Sequence, residues 1–307
     1  MIKSKELFTR LKENPIILPD MPGLEGESNI NGPSLIRVPD WVKEPLGRYY
    51  LYFAHHDGEY IRLAYADHIE GPWTIYKEGT LHIKDTITKS HVASPDLYID
   101  HERKEIRMYF HGKHETQELY QGGRQATFVA TSGDGLDFAA HTEVLGPFYF
   151  RVFEYRGYYY AIAQNGRKGG IVLRSKDGVT QFQRGPEIID RMRHAAVLLI
   201  HDTLLIFHSR TGDNPERILL SSMKLDKDWT QWGPTSAITI LQPDEDYEGG
   251  DLPLIPSVRG STYKRVRQLR DPGVYLEGDK IYLLYSIAGE SGIGVAVGSL
   301  SSLMGEI

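Results

Sequence analysis

The chain has 307 residues, with 35 Lys and Arg against 41 Asp and Glu, and its formal net charge of −6 argues against a polyanionic partner such as nucleic acid. Cysteine is absent, which excludes disulfides, thiol catalysis and a Cys-ligated zinc site. No apolar run is long enough to span a membrane, and the leader 1–8 lacks the apolar stretch of a secretion signal, so cytoplasm is the expected compartment.

In chain order, one unit recurs five times. Each copy pairs an aromatic, apolar strand with a second short strand of the form I-x-L-A-x-S. The strand pairs are 49–53 with 61–66, 106–110 with 126–132, 158–163 with 171–175, 204–207 with 218–222, and 281–286 with 293–297. A further strand precedes each aromatic one and closes in a charged or Gly turn: 34–38, 96–99, 151–154, 196–200 and 273–276. An outer strand follows in the first four copies, but the fifth has no residues left for one. Short strands and turns repeating in this way predict an all-β, five-bladed β-propeller of four-stranded antiparallel blades. The expected organisation is a single domain, 1–307, with blades near 29–83, 91–146, 149–189, 194–241 and 271–300. The stretch 14–18 is expected to close the ring and to protect its sheet edge.

Antiparallel pairing puts the start of each inner strand and the end of each second strand on one face of the propeller. The inner-strand starts carry Asn29, Asn31 and Ser34; His91, Ser94 and Asp96; Tyr149 and Arg151; Arg193 and His194; and Arg270 and Asp271. The second-strand ends add His55 and His56; His111, Lys113 and His114; Gln164, Asn165 and Arg167; His208, Ser209 and Arg210; and Glu290. Seven of the twelve histidines fall in this set. The opposite face carries ordinary solvated hairpins.

The whole chain resembles the five-bladed propeller glycoside hydrolases, the group containing families 32, 43, 62, 68 and 117. The strand 49–53 followed by Gly71-Pro72-Trp73 resembles a family 43 first blade. Ala93-Ser94-Pro95-Asp96-Leu97 resembles the opening of its second blade, and Arg270-Asp271-Pro272 the form these enzymes use to place an inner-strand carboxylate. The resemblance implies a glycosidase with paired carboxyl groups, yet the family 43 triad does not carry over. Asn29 or Asn31 stands in the region of the base, Tyr149-Phe150-Arg151 in that of the second Asp, and His194 where the acid Glu aligns. Two Asp and one His resemble the family 117 pattern instead.

Glycoside cleavage needs one protonated and one ionised group flanking the scissile bond. Asp271, beside Arg270, is the expected base or nucleophile. Glu290, in a Gly-flanked turn, is the expected acid, with His194 as competitor, and Asp96 holds sugar hydroxyls or orients a partner. Each also has a plain structural reading: the aspartates as backbone caps, Glu290 as a solvated tip and His194 as a buried histidine. Substrate contacts are expected from Asn31, His56, His111, His114, Arg151, Arg167, His208, Arg210, Arg270 and Glu248. Arg210 is the best-placed clamp for an anionic sugar. No cofactor is required, although the histidine set invites a divalent cation at the axis. The acidic, turn-rich loop 242–268 breaks the repeat and is expected to wall the pocket. The expected function is a glycoside hydrolase of polysaccharide degradation acting on an oligosaccharide. The alternatives are another sugar-active propeller enzyme (a phosphorylase, transferase or lyase) and a non-catalytic carbohydrate-binding propeller.

Overall fold

The computed structural model describes residues 7–25, 28–114 and 125–307; the expectation for the leader 1–8 falls largely outside them. The first strand, β1 (Phe8–Arg10), belongs to the last sheet. Blade one comprises β2 (Asn31–Arg37), β3 (Tyr49–Ala54), β4 (Arg62–Ala66) and β5 (Thr74–Tyr76). Blade two holds β6 (Lys89–Asp100), β7 (Glu105–Lys113), β8 (Gln125–Ser132) and β9 (Ala139–Ala140). Blade three holds β10 (Arg151–Tyr155), β11 (Tyr158–Gln164), β12 (Gly170–Ser175) and β13 (Gln183–Ile188). Blade four holds β14 (Met192–Ile200), β15 (Thr203–Arg210), β16 (Ile218–Lys224) and β17 (Ile238–Leu241). In blade five, β18 (Arg270–Glu277), β19 (Lys280–Ser286) and β20 (Ile293–Ser299) are joined by β1, and a short helix, α1 (Leu300–Met304), follows.

The second strands are apolar on both faces because each blade is sandwiched between two others. Along β3 every residue is buried. Tyr50, Tyr52 and Ala54 pack with Met108, Phe110 and Phe128 of blade two. Tyr49, Leu51 and Phe53 pack with Tyr282, Leu284 and Val295 of blade five. The period of two thus feeds two inter-blade cores from one strand. At roughly 1.5–3 kcal/mol per buried large side chain, these seams hold the ring together.

Closure differs from the expectation that 14–18 is the closing strand. The ladder lies earlier, with Phe8 opposite Gly298, Thr9 opposite Val297 and Arg10 opposite Ala296. Pro15 has no N–H to extend it. Instead, the Asn14 side chain brackets Val295, donating to its carbonyl at 2.8 Å and accepting from its N–H at 2.9 Å, and Ile17 makes a single bridge to Ile293.

Four inner strands begin with a break in register, between Asn31 and Ser34, Ala93 and Asp96, Met192 and Ala195, and Arg270 and Gly273. Such bulges re-aim side chains. In three of them a residue with positive φ precedes a proline: Gly32 at 63°, Ser94 at 50° and Asp271 at 47°. Gly273 then abuts the next blade, where a Cβ would stand 2.4 Å from the Pro33 carbonyl oxygen.

Candidate active site

The bulged strand starts converge on a cavity of about 350 Å³ at one mouth of the axis. His194 and Glu290 face it, with Tyr149, His56, Arg193 and Arg259 among the other walls. Asp271 sits behind His194, its Oδ1 against the histidine Nδ1, while Oδ2 accepts from Ser286 Oγ at 3.2 Å. Burial opposes the Asp271 carboxylate, but His194 and then Arg270 and Arg193 outweigh it and hold the carboxyl below its ordinary value. With Nδ1 engaged, Nε2 is the imidazole nitrogen left for the cavity. Tyr149, itself at φ 64°, sets its ring edge-on to His194 with centroids 4.2 Å apart.

Glu290 is only 2% exposed and is held by donors on every side. Arg270 Nη1 donates to Oε1 at 2.9 Å; Asn29 and Asn31 donate through Nδ2 to Oε2 at 2.6 and 3.3 Å. His56 Nδ1 stands 3.7 Å from Oε2. An acceptor surrounded by donors suits a carboxylate rather than an acid. Asn31 therefore reaches Glu290, and Arg270 is spent on Glu290 and on Gln268 Oε1. The Asn29 side-chain carbonyl also accepts from the His56 N–H at 2.9 Å, and its amide donates to the Thr262 carbonyl at 3.1 Å.

Several residues expected at the substrate lie elsewhere. Arg151 is buried, donating to the carbonyls of Ala195, Phe150 and Ser94. Asp96 also lies outside the cavity wall, 3.9 Å from Arg151 Nε and accepting from the Val152 N–H at 2.8 Å. Burial pushes its carboxyl up to about 6, against the pull of Arg151. His208 lies inside the blade-four sheet beside Ser221, and burial, with Arg210, lowers its imidazole to about 3. His111 is buried against Tyr149 and Phe148, and His114 packs by Phe128. Arg210 does not line the cavity, and its Nε is buried. Arg167 is exposed on the short 3₁₀ turn Gly166–Lys168.

Glu248 is a structural anchor, fully buried, that accepts from Arg10 Nε and Nη2 at 2.8 Å each and from Tyr285 Oη at 2.8 Å. Among the described residues no group of three or more His, Asp or Glu side chains is arranged to hold a metal ion.

Two contributors escape the sequence reading. Glu216, fully buried between β15 and β16, pairs with Arg193 Nε at 2.9 Å and lies 3.6 Å from Arg270 Nε. It thereby fixes the guanidinium of Arg193 on the cavity wall and that of Arg270 behind it. Arg259 comes from the long loop, which does wall the pocket as expected. That loop crosses three blades. Arg193 donates to the carbonyls of Val258 and Gly260, Arg259 to that of Gly166, and Tyr263 to Asp57.

No family model matches the chain. In sequence, an uncharacterized protein of Acanthamoeba polyphaga mimivirus is 35% identical over 331 aligned positions, covering 95% of this chain and 91% of the viral protein. In structure, a glycosyl hydrolase from Bacteroides ovatus matches with a TM-score of 0.66 at 14% identity, covering 94% of this chain and 93% of that one. A structure from the GH130 family of mannoside phosphorylases, which contains glycoside hydrolases that target β-1,2 mannosidic linkages in Candida mannan, matches at 0.65 and 13% identity, with 97% and 95% covered. A GH43 β-xylosidase/α-arabinofuranosidase from a compost microbial metagenome matches at 0.58 and 14% identity, with 89% and 91% covered. Identities this low carry the fold alone: the chain shares the five-bladed propeller of these proteins.

Proposed function

The chain belongs to one family with the uncharacterized mimivirus protein, and from that premise and the chemistry of the mouth cavity we propose that it cleaves a glycosidic bond by hydrolysis. The observation that carries this reading is the meeting, in one cavity, of a carboxylate held by donors, Glu290, and an imidazole backed by a carboxylate, His194 on Asp271. His194 delivers a proton from Nε2 to the departing glycosidic oxygen, while Asp271 fixes the ring and balances its charge. Glu290 faces the sugar carbon as it gains positive charge, and either takes the proton of an attacking water or bonds to the carbon directly. The roles of acid and carboxylate are thus exchanged relative to the sequence expectation: His194 is the acid, Glu290 the base or nucleophile, and Asp271 the positioning residue.

The test is turnover of a panel of aryl glycosides and oligosaccharides by the wild type, His194→Gln and Glu290→Gln. Each variant should lose at least ~100-fold in activity while remaining folded, with Glu290→Gln melting lower because it leaves buried Arg270 short of a partner. Full activity in both variants would overturn the assignment. Repeating the assay with and without inorganic phosphate separates hydrolysis from phosphorolysis, and tight sugar binding without turnover identifies a binding module.

A further inference from the structure

Charge around the mouth is unevenly matched. Arg193 is neutralised by Glu216, and Glu290 by Arg270. Two further cations line the same cavity, Lys113 at the end of β7 and Arg259 on the long loop. Among the described residues neither has a carboxylate partner. Arg259 spends one nitrogen on the Gly166 carbonyl, which leaves the rest of its planar fork free. Its guanidinium is held below its ordinary value by partial burial and then by the charges of Arg193 and Arg167. In a chain with a net charge of −6, two cations with no carboxylate partner among the described residues make one small cavity a local reversal of sign. Both side chains are exposed, so water solvates these charges until a bound anion offers them a partner in the cavity.

We propose that the cavity takes a sugar carrying an anionic group, a uronate, sulfate or phosphate ester, with Arg259 as the planar clamp and Lys113 as a second point charge. The proposal rests on the sugar-cleaving reading above and names its substrate class. Lys113 ends the second strand of blade two, whereas Arg259 is held on the Gly166 carbonyl of blade three. The two cations thus form separate positions, which suits charges spread over a saccharide better than one small tetrahedral ion. Arg259 rather than Arg210 is the clamp, because the loop carries it to the mouth while Arg210 stays outside the cavity wall.

The experiment is a calorimetric titration of the intact protein at low ionic strength with glucuronate, glucose 6-sulfate, glucose and inorganic phosphate. The same titrations are run on Arg259→Gln, Lys113→Gln and, as a control on the opposite face, Lys104→Gln. The anionic sugars should bind roughly tenfold or more tightly than glucose. Arg259→Gln should abolish most of that preference, Lys113→Gln part of it, Lys104→Gln none, and added salt should weaken only the anionic sugars. Equal affinity for glucuronate and glucose, no detectable binding of any sugar, or a preference unchanged in both cavity variants overturns the proposal. Phosphate binding without preference for the anionic sugars also overturns it and assigns the cations to a free phosphate. A protein that binds the anionic sugars but cleaves no glycoside keeps this proposal and overturns the enzymatic reading. One that cleaves neutral glycosides without anionic preference does the reverse.

Discussion

The inner strands of the propeller have two ends, and the two behave as different materials. At the mouth, bulges and left-handed residues at Gly32, Ser94 and Asp271 interrupt the ladders, and charged side chains converge. At the far end the ladders run regularly, and a larger hollow of about 780 Å³ is lined by apolar side chains such as Leu35, Val38, Leu97, Leu198, Val274 and Leu276 together with Arg37, Asp40 and His101. The far hollow is the larger, yet its imidazole and carboxylate, His101 and Asp40, are exposed on turns, whereas His194, Asp271 and Glu290 at the mouth are buried. Interrupted pairing, rather than volume, is what sets the two ends apart.

Asp271→Asn tests the mouth most severely. The amide can keep the Ser286 bond but cannot balance an imidazolium, so turnover should fall by about 100-fold with the fold intact. Unchanged turnover would break the assignment of His194 as the acid. Gly273→Ala tests the bulge itself: its Cβ would meet the Pro33 carbonyl oxygen at 2.4 Å, and unfolding in urea should show a loss of roughly 1–3 kcal/mol. A neutral result would mean that blades one and five are less tightly opposed than described.

Much of this contrast can be read from the sequence, and some cannot. The repeat of apolar second strands announces five blades because each blade must bury both faces. The shared face of strand starts and ends follows from antiparallel pairing alone, and it does bring His194 and Glu290 to one cavity. Side-chain direction does not follow. A bulge adds a residue to one strand and reverses the alternation beyond it, so Asp96 lies off the cavity although it sits in a strand-start position, whereas Arg151, on the unbulged β10, turns to the carbonyls of Ala195, Phe150 and Ser94. His208 points into its sheet for the same lack of parity information. The closing strand moved because Pro15 cannot donate a rung. Glu216 follows Asn214-Pro215 in an unremarked connection, and only its burial beside two arginines marks it out. Arg259 was hidden in a loop whose path no periodicity encodes.

Asp96→Asn sharpens the comparison through pH. In the folded chain the carboxyl titrates near 6, above its ordinary value. Between pH ~4 and ~6 the unfolded chain therefore ionises while the folded one holds its proton, and stability falls as pH rises through that window. The variant should be more stable than the wild type at pH 7.5, by up to roughly 3 kcal/mol, with the advantage fading toward pH 4. Melting curves at the two pH values check this; an advantage that grows on acidification contradicts the burial argument. The smallest effect is expected at the far end. Val274→Thr, on the wall of the larger hollow, should change turnover by no more than about twofold, and a loss matching that of Asp271→Asn would transfer the site to that hollow.

The central claim, that chemistry belongs to the interrupted end of the strands, is tested most directly by a crystal structure with a bound oligosaccharide. The account predicts a sugar ring in the mouth cavity, with its anomeric carbon facing Glu290 and its glycosidic oxygen within hydrogen-bond reach of His194 Nε2. A saccharide seated in the far hollow, or one in the mouth with both groups turned away from the glycosidic bond, would contradict it.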